Sequence, residues 1–186
     1  FIRDVKASTA EPATKVAMLL VLLTACRKSE AAGAAVAEFN LDAAEWEIPA
    51  ERMKARRAHW VPLPRQAVEL LREYLPHVRG QMLFPHRDKP GQGMADRTLN
   101  AMMGRLGYEG ETVHGFRSVF STRYNAISPA NADVVERCLA HAPRDLVRAA
   151  YNRHDYADER RAMLQDWADW LDSLAANRGN VVQLAA

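Results

Sequence analysis

Between Ala17 and Cys26 only Thr24 interrupts an otherwise apolar run. The segment sits in the stretch Glu11-Pro12-ATKVAMLLVLLTACRKSE. It reads as a helix opened by the proline, whose missing N–H costs nothing in a first turn. Apolar on every side, such a helix has no face to offer water and has to be wrapped by the rest of the fold. It falls far short of the ~20 apolar residues that cross a bilayer, so its burial belongs to a protein core. The helix is expected to end near Arg27, which would bring a guanidinium out of the apolar centre. Ser29 to Ala35 follows as a short second helix with Ser29 as its cap.

The remainder of the chain is long enough to do the wrapping. With 186 residues, 48% hydrophobic and 26% charged, one core can bury roughly 70% of the surface of the unfolded chain. Two cysteines, Cys26 and Cys138, are too few for a disulfide framework or a cysteine-based zinc site and suit a reducing cytosol. No secretory pattern opens the sequence. Beginning at Phe1 rather than Met, it reads as an excised domain whose N-terminal neighbours are missing. Secreted, membrane and repeat classes are excluded on these grounds.

Trp46 and Ile48, then Trp60, Val61 and Leu63, alternate around a polar KARRA turn. This period of two predicts an antiparallel hairpin with Lys54 at or near its tip. Helical spacing returns from Arg65 to Val78, with Val68, Leu71 and Leu75 on one face. Leu83-Phe84-Pro85 is a brief extended piece, and His86 to Gly93 is a loop by its Gly, Pro and charge content. Further helices are expected from an Asp96 cap to Leu106, from His114 to Ala126, and from Asn131 to Ala140. A short helix begun by Pro143 would carry Tyr151, and a long one would run from Tyr156 to Ala176. The fold class is therefore mainly α with a small antiparallel β-sheet (α+β): one domain over 1–176, then a tail, 177–186, that is flexible or docks on a partner.

A net charge of +2 says little about partners, but its distribution says more. Pro49 to Arg72 holds Arg52, Lys54, Arg56, Arg57, Arg65 and Arg72 against Glu51 and Glu69, a local +4, while the other residues sum to −2. Such a cluster is the footprint of a polyanion partner, or simply a solvated arginine-rich face. Phosphate-loop, dinucleotide and HExxH motifs are absent, and the six histidines lack metal-ligand spacing. What remains is a scattered set of cations and one phenol: Arg27, Lys54, the H-x-x-R pair His114 and Arg117, His141 and Tyr151. Each alone has an ordinary explanation: Arg27 as a helix-dipole partner, Lys54 as an edge-strand gatekeeper, His141 as a hydrogen-bonded structural histidine, Tyr151 as a core ring. His114 and Arg117, three apart, are expected on one helix face.

Order changes the reading. TACRKSE, MKARRAHWVPLP, TVHGFRSVFST, ERCLAHA and VRAAYNRHDY occur in that sequence, and together they resemble the catalytic domain of the tyrosine recombinases, in the phage and genomic-island integrase branch. The resemblance runs from about Thr14 to Leu171. It matches Arg27 and Arg117 to the two arginines of the family, Lys54 to the hairpin lysine, His114 to the histidine of H-x-x-R, His141 to the last histidine and Tyr151 to the nucleophile, with Tyr156 as runner-up. Glu30 matches an acidic position that holds the first arginine. Two departures stand out: Ala140 where many relatives have Gly, and Ser118 where many have His.

The resemblance implies cleavage and rejoining of DNA strands at specific sites through a 3′-phosphotyrosyl intermediate, integrating or excising a mobile element, with no cofactor and no metal. Double-stranded attachment-site DNA would be the partner, contacted by Lys28, Arg52, Arg56 and Arg57. It also implies a homo-tetramer on DNA for a full-length protein, accessory DNA-bending factors as further candidates, no membrane, and a cytoplasmic, nucleoid-associated location in a bacterium. Two alternatives remain at this point: DNA relaxation by a type IB topoisomerase, and a catalytically silent DNA-binding regulator.

Overall fold

A computed structural model describes residues 1–95, 97–141 and 155–176. The apolar run becomes helix α2 (Pro12–Thr24), with Pro12 in its first turn and every residue from Val16 to Thr24 buried. Around it pack α1 (Ile2–Ala7), α3 (Lys28–Ala32), α4 (Arg65–Tyr74), α5 (Arg97–Arg105) and the long α8 (Ala157–Ala176). Helices α6 (Gly115–Ile127) and α7 (Ala132–Cys138) complete the helical part. One apolar cluster runs from Val5 to Leu171. Trp167 of α8 is fully inside it and donates its indole N–H to the Leu22 carbonyl of α2 at 2.7 Å. Among the described residues no helix is long and apolar enough to cross a membrane.

The sheet is antiparallel with strand order β1-β2-β3: β1 (Phe39–Asn40), β2 (Glu45–Ile48) and β3 (His59–Pro62). The predicted hairpin is β2–β3, in the register Trp46↔Val61 and Ile48↔His59. Strand β1 is an addition that its two residues were too short to announce; Phe39 pairs with Trp46 and stacks on its ring at 5.0 Å. The fold is thus mostly helical with a small antiparallel sheet, as the sequence pattern implied.

Element ends moved where capping and backbone geometry intervened. Helix α2 stops at Thr24, not near Arg27, because Ala25 turns into the left-handed region (φ 51°). The next helix starts at Lys28, and its N-cap is Arg27 rather than Ser29. The Glu30 carboxylate, at the third helical position, reaches back to accept the backbone N–H of the N-cap Arg27 at 2.7 Å, the returning half of a capping box. The helix begun at Arg65 gives way after Tyr74 to a 3₁₀ turn (Leu75–His77), since Pro76 has no N–H to continue the ladder. The extended piece at Leu83 is held by the Ala34 carbonyl, which accepts the Leu83 N–H at 2.8 Å, and by bridges Ala35↔Met82 and Pro85↔Gly93. Helix α8 begins at Ala157, one residue after Tyr156 in the left-handed region (φ 52°). The Asp96 cap, the helix expected after Pro143 and the tail 177–186 lie outside the described residues.

Candidate active site

Arg27 stands where α2 hands over to α3, three-quarters covered, with Glu30 buried beside it. Arg27 Nη1 meets Glu30 Oε1 at 2.7 Å, so one carboxylate holds both the backbone and the guanidinium of the arginine. Arg27 Nη2 reaches across the chain to donate to the Ala140 carbonyl at 3.2 Å. Among the described residues these two acceptors use two of the five N–H donors of the guanidinium.

Arg117 lies in the first turn of α6 and is 3% exposed. Its Nη1 donates to the Ala25 carbonyl at 2.6 Å and its Nη2 to the Leu139 carbonyl at 2.7 Å. The two arginines therefore converge on the end of α7, where unpaired carbonyls and the negative end of the helix dipole favour cations. Two alanines in left-handed conformation frame this shelf, Ala25 (φ 51°) and Ala140 (φ 48°). Burial, and next the neighbouring Arg27, lowers the pKa of Arg117. A guanidinium stays charged under such pressure, where an ammonium would tend to shed its proton.

His141 joins the same group. Its Nε2 is 3.1 Å from Arg117 Nη2 and its Nδ1 is 2.8 Å from Glu136 Oε2. Arginine can only donate, so Nε2 is the accepting nitrogen and the ring proton sits on Nδ1, donated to the carboxylate. Arg27 with Glu30, Arg117 and His141 are thus brought together from three points of the sequence.

Lys54 and His114 are placed differently. Lys54 is exposed in the turn between β2 and β3, as expected of a hairpin tip. His114 is the exposed N-cap of α6, whereas Arg117 points inward, so the pair spans the surface and the interior rather than sharing one face. Among the described residues no recorded hydrogen bond or ion pair ties either to the arginine shelf. Arg56 and Arg57 are exposed in the hairpin turn and Lys28 is half-buried in the first turn of α3. Arg52 instead has its guanidinium engaged by Glu38, with Nε 2.8 Å from Oε1. Tyr151 lies outside the described residues. The runner-up Tyr156 is half-buried, its hydroxyl 3.4 Å from Asp133 Oδ2. No group of three His, Cys, Asp or Glu among the described residues is placed to hold a metal ion.

Residues 2–158 match the model of the phage integrase family. The chain belongs to the phage integrase family. It is 43% identical over 171 residues to Prophage integrase IntA of Escherichia coli (strain K12), covering 91% of this chain and 41% of that protein. It thus spans less than half the length of that relative. Among solved structures, the integrase from mycobacterium phage Brujita superposes with a TM-score of 0.64 at 19% identity, over 90% of this chain and 55% of that one. The Tn1549 transposon integrase in complex with a circular intermediate DNA superposes with a TM-score of 0.58 at 15% identity, over 82% of this chain and 62% of that one. The resemblance read from the five segments is borne out at the level of family and fold.

In this integrase-family chain the structure adds residues that the sequence reading passed over. Glu136 is the partner of His141, and its place on α7 five residues upstream was the available signal. His59 opens β3 and is 8% exposed; the alternation that buries Val61 and Leu63 put His59 on the same inward face. Its pKa is pushed down to about 3, first by burial, then by the Arg160 cation, with Arg27 and Arg117 adding to it, so the ring is neutral. Arg160 of α8 is 2% exposed, donates to the Trp60 carbonyl, pairs with Asp155 Oδ1 at 3.1 Å and covers the Trp60 ring at 4.9 Å. Helical spacing puts Arg160 on the inward stripe of α8 with Met163, Leu164, Trp167 and Leu171, and only its charge disguised that place. Cys26 and Cys138 are buried, and burial pushes both thiols up to about 12, so neither offers a thiolate nucleophile.

Proposed function

We propose that this chain is the catalytic part, over 1–176, of a tyrosine-type site-specific recombinase that cleaves and rejoins attachment-site DNA. The observation that carries the reading is the convergence of Arg27, Arg117 and His141 on one shelf at the end of α7. Opening a phosphodiester needs a nucleophile, a counter-charge for the phosphorane and a proton for the leaving sugar oxygen. A tyrosine hydroxyl titrates near 10, so only about 0.1% is phenolate at pH 7, and neighbouring cations or a base have to offset roughly 4 kcal/mol. Two guanidiniums on a rigid backbone shelf supply this counter-charge where charge develops, Arg27 at the more exposed position and Arg117 as a buried cation fixed by carbonyls behind it.

In this reading the Tyr151 phenolic oxygen attacks phosphorus, and its proton passes to an imidazole. His141 fits that task once Arg117 Nη2 releases the Nε2 lone pair, and Glu136 supports the charge the ring would gain. The P–O5′ bond breaks as the 5′-oxygen takes a proton from Lys54, whose ammonium can be given up as a guanidinium proton cannot. The product is a 3′-phosphotyrosine and a free 5′-hydroxyl. Attack by a different 5′-hydroxyl runs the same step backwards, exchanging strands at nearly constant bond energy. The same reading includes a homo-tetramer on two DNA sites, accessory DNA-bending factors, contacts from Lys28, Arg56 and Arg57 to the backbone, and a cytoplasmic, nucleoid-associated location. The DNA in the Tn1549 integrase complex supports the choice of partner.

The test is covalent trapping on a suicide attachment-site oligonucleotide. The unsubstituted chain should form an adduct that maps by peptide analysis to Tyr151, and Tyr151→Phe should abolish it while DNA binding stays nearly intact. An adduct that persists in Tyr151→Phe, or that maps to Tyr156, would overturn the assignment.

A further inference from the structure

Arg52 belongs to the basic cluster between Pro49 and Arg72, but its surroundings are those of a built-in strut. The arginine ends the 3₁₀ turn Ala50–Arg52, two residues before Lys54. Its Nε lies 2.8 Å from Glu38 Oε1, and its Nη2 donates to Glu38 Oε2 at 2.8 Å. The same Nη2 donates to the Glu30 backbone carbonyl at 3.0 Å. Glu38 is itself 8% exposed and receives the Trp46 indole N–H at 2.9 Å, so it cannot follow the arginine if the loop moves. Nη1 rests where Gly33 has no side chain; a Cβ there would sit 2.6 Å from it. Met53, next in line, is 3% exposed in the core. Lys54 is the first residue beyond this anchored stem to face solvent.

The far end of the strut is informative. Glu30 is the residue whose carboxylate holds both the backbone and the side chain of Arg27. Its carbonyl belongs to the last turns of a five-residue helix, where carbonyls lack intrahelical partners and need a donor. Nη2 bonds the carboxylate and the carbonyl together, while Nε and Nη1 of the same rigid plane lie against Glu38 and Gly33 and fix its orientation, which a freely rotating ammonium would lack.

We infer that Arg52 is a positioning residue for Lys54, bracing the stem of the lysine loop against the Glu30–Arg27 unit so that the acid and the clamp keep one spacing. This rests on the proposed recombinase chemistry. A displacement of about 1 Å at a reacting group can cost on the order of 100-fold in rate, so a loop otherwise open to solvent gains from such a brace.

The test is single-turnover cleavage of the attachment-site oligonucleotide with an ordinary 5′-oxygen and with a 5′-bridging thiolate, a leaving group that needs no acid. Arg52→Ala should slow the ordinary substrate by about 10- to 100-fold and recover to within a few-fold of the parent on the thiolate substrate. Its effect should vanish in a Lys54→Ala background, and the salt dependence of DNA binding should not change. Gly33→Ala keeps every charge, pushes the fork aside and should show the same substrate pattern in weaker form, which serves if Arg52→Ala does not fold. Equal slowing on both substrates, or a salt slope lower by about one unit in Arg52→Ala, would overturn the inference and return Arg52 to a structural or phosphate-contact role. If the parent itself forms no adduct on either substrate, the recombinase reading has failed and this inference with it.

Discussion

At the scale of single residues, the backbone conformation of two alanines holds the site together. Ala140 sits at φ 48° and its carbonyl receives Arg27, while Ala25 sits at φ 51° and its carbonyl receives Arg117. A left-handed alanine is strained by about 1 kcal/mol relative to glycine, part of which glycine returns through its larger unfolded-state entropy. Ala140→Gly should therefore stabilise the fold by up to about 0.5 kcal/mol in urea unfolding; a loss of stability would show that the alanine methyl contributes packing that outweighs its strain. His59 yields a pH effect with a definite sign. Its folded pKa of about 3 lies below the ordinary value of 6.5. Between these values the unfolded chain binds a proton that the folded one refuses, so stability is full above about pH 6.5 and is lost as pH falls toward 3, by up to ~1.4 kcal/mol per unit. The midpoint of thermal unfolding should fall less steeply over that window in His59→Gln than in the parent, and identical slopes would mean His59 does not carry the effect.

At the scale of elements, α2 is the post from which the site is hung. Its apolar sides are taken up by α1, α3, α4, α5 and α8, and its end delivers Ala25 and Arg27 to the shelf. Leu20 is fully buried there. Leu20→Ala leaves a cavity that its neighbours cannot close and should cost about 2–5 kcal/mol by denaturant unfolding, with the m-value unchanged. A cost below ~1 kcal/mol would mean that the post yields. The sequence was legible at this level because an all-round apolar helix has one available environment. Strand alternation likewise made the hairpin visible through Trp46, Ile48, Trp60 and Val61. Strand β1 was not visible, since two residues carry no period, and the end of α2 was misplaced by three residues because a left-handed alanine leaves no compositional mark.

At the scale of the whole molecule, the basic stretch from Pro49 to Arg72 divides into different tasks. Arg52 is braced internally by Glu38, Arg65 and Arg72 pair with Glu69 and Asp42, and Arg56 and Arg57 stand exposed in the hairpin turn. Backbone contacts to DNA release counterions, giving a slope of about −0.9 in log affinity against log salt for each phosphate neutralised. Replacing Arg56 and Arg57 together by alanine should reduce that slope by up to about two, uniformly across DNA sequences. An unchanged slope in a titration by fluorescence anisotropy would place the electrostatic footprint elsewhere on the surface.

Local chemistry settled much of this protein before any coordinates. A buried helix and a hairpin with a basic tip follow from residue type and spacing, because hydrophobic period acts over a few residues, while the set of arginines, histidines and tyrosine came from the family resemblance of five segments. Tertiary structure alone decided what each of these cations is paired with. Arg117 and Arg52 look alike in a sequence, yet one is fixed by carbonyls more than 20 residues away in either direction and the other by Glu38 and Glu30. The partners of a guanidinium are chosen by which carbonyls and carboxylates the fold leaves unpaired within about 3 Å, and that is a property of the assembled chain.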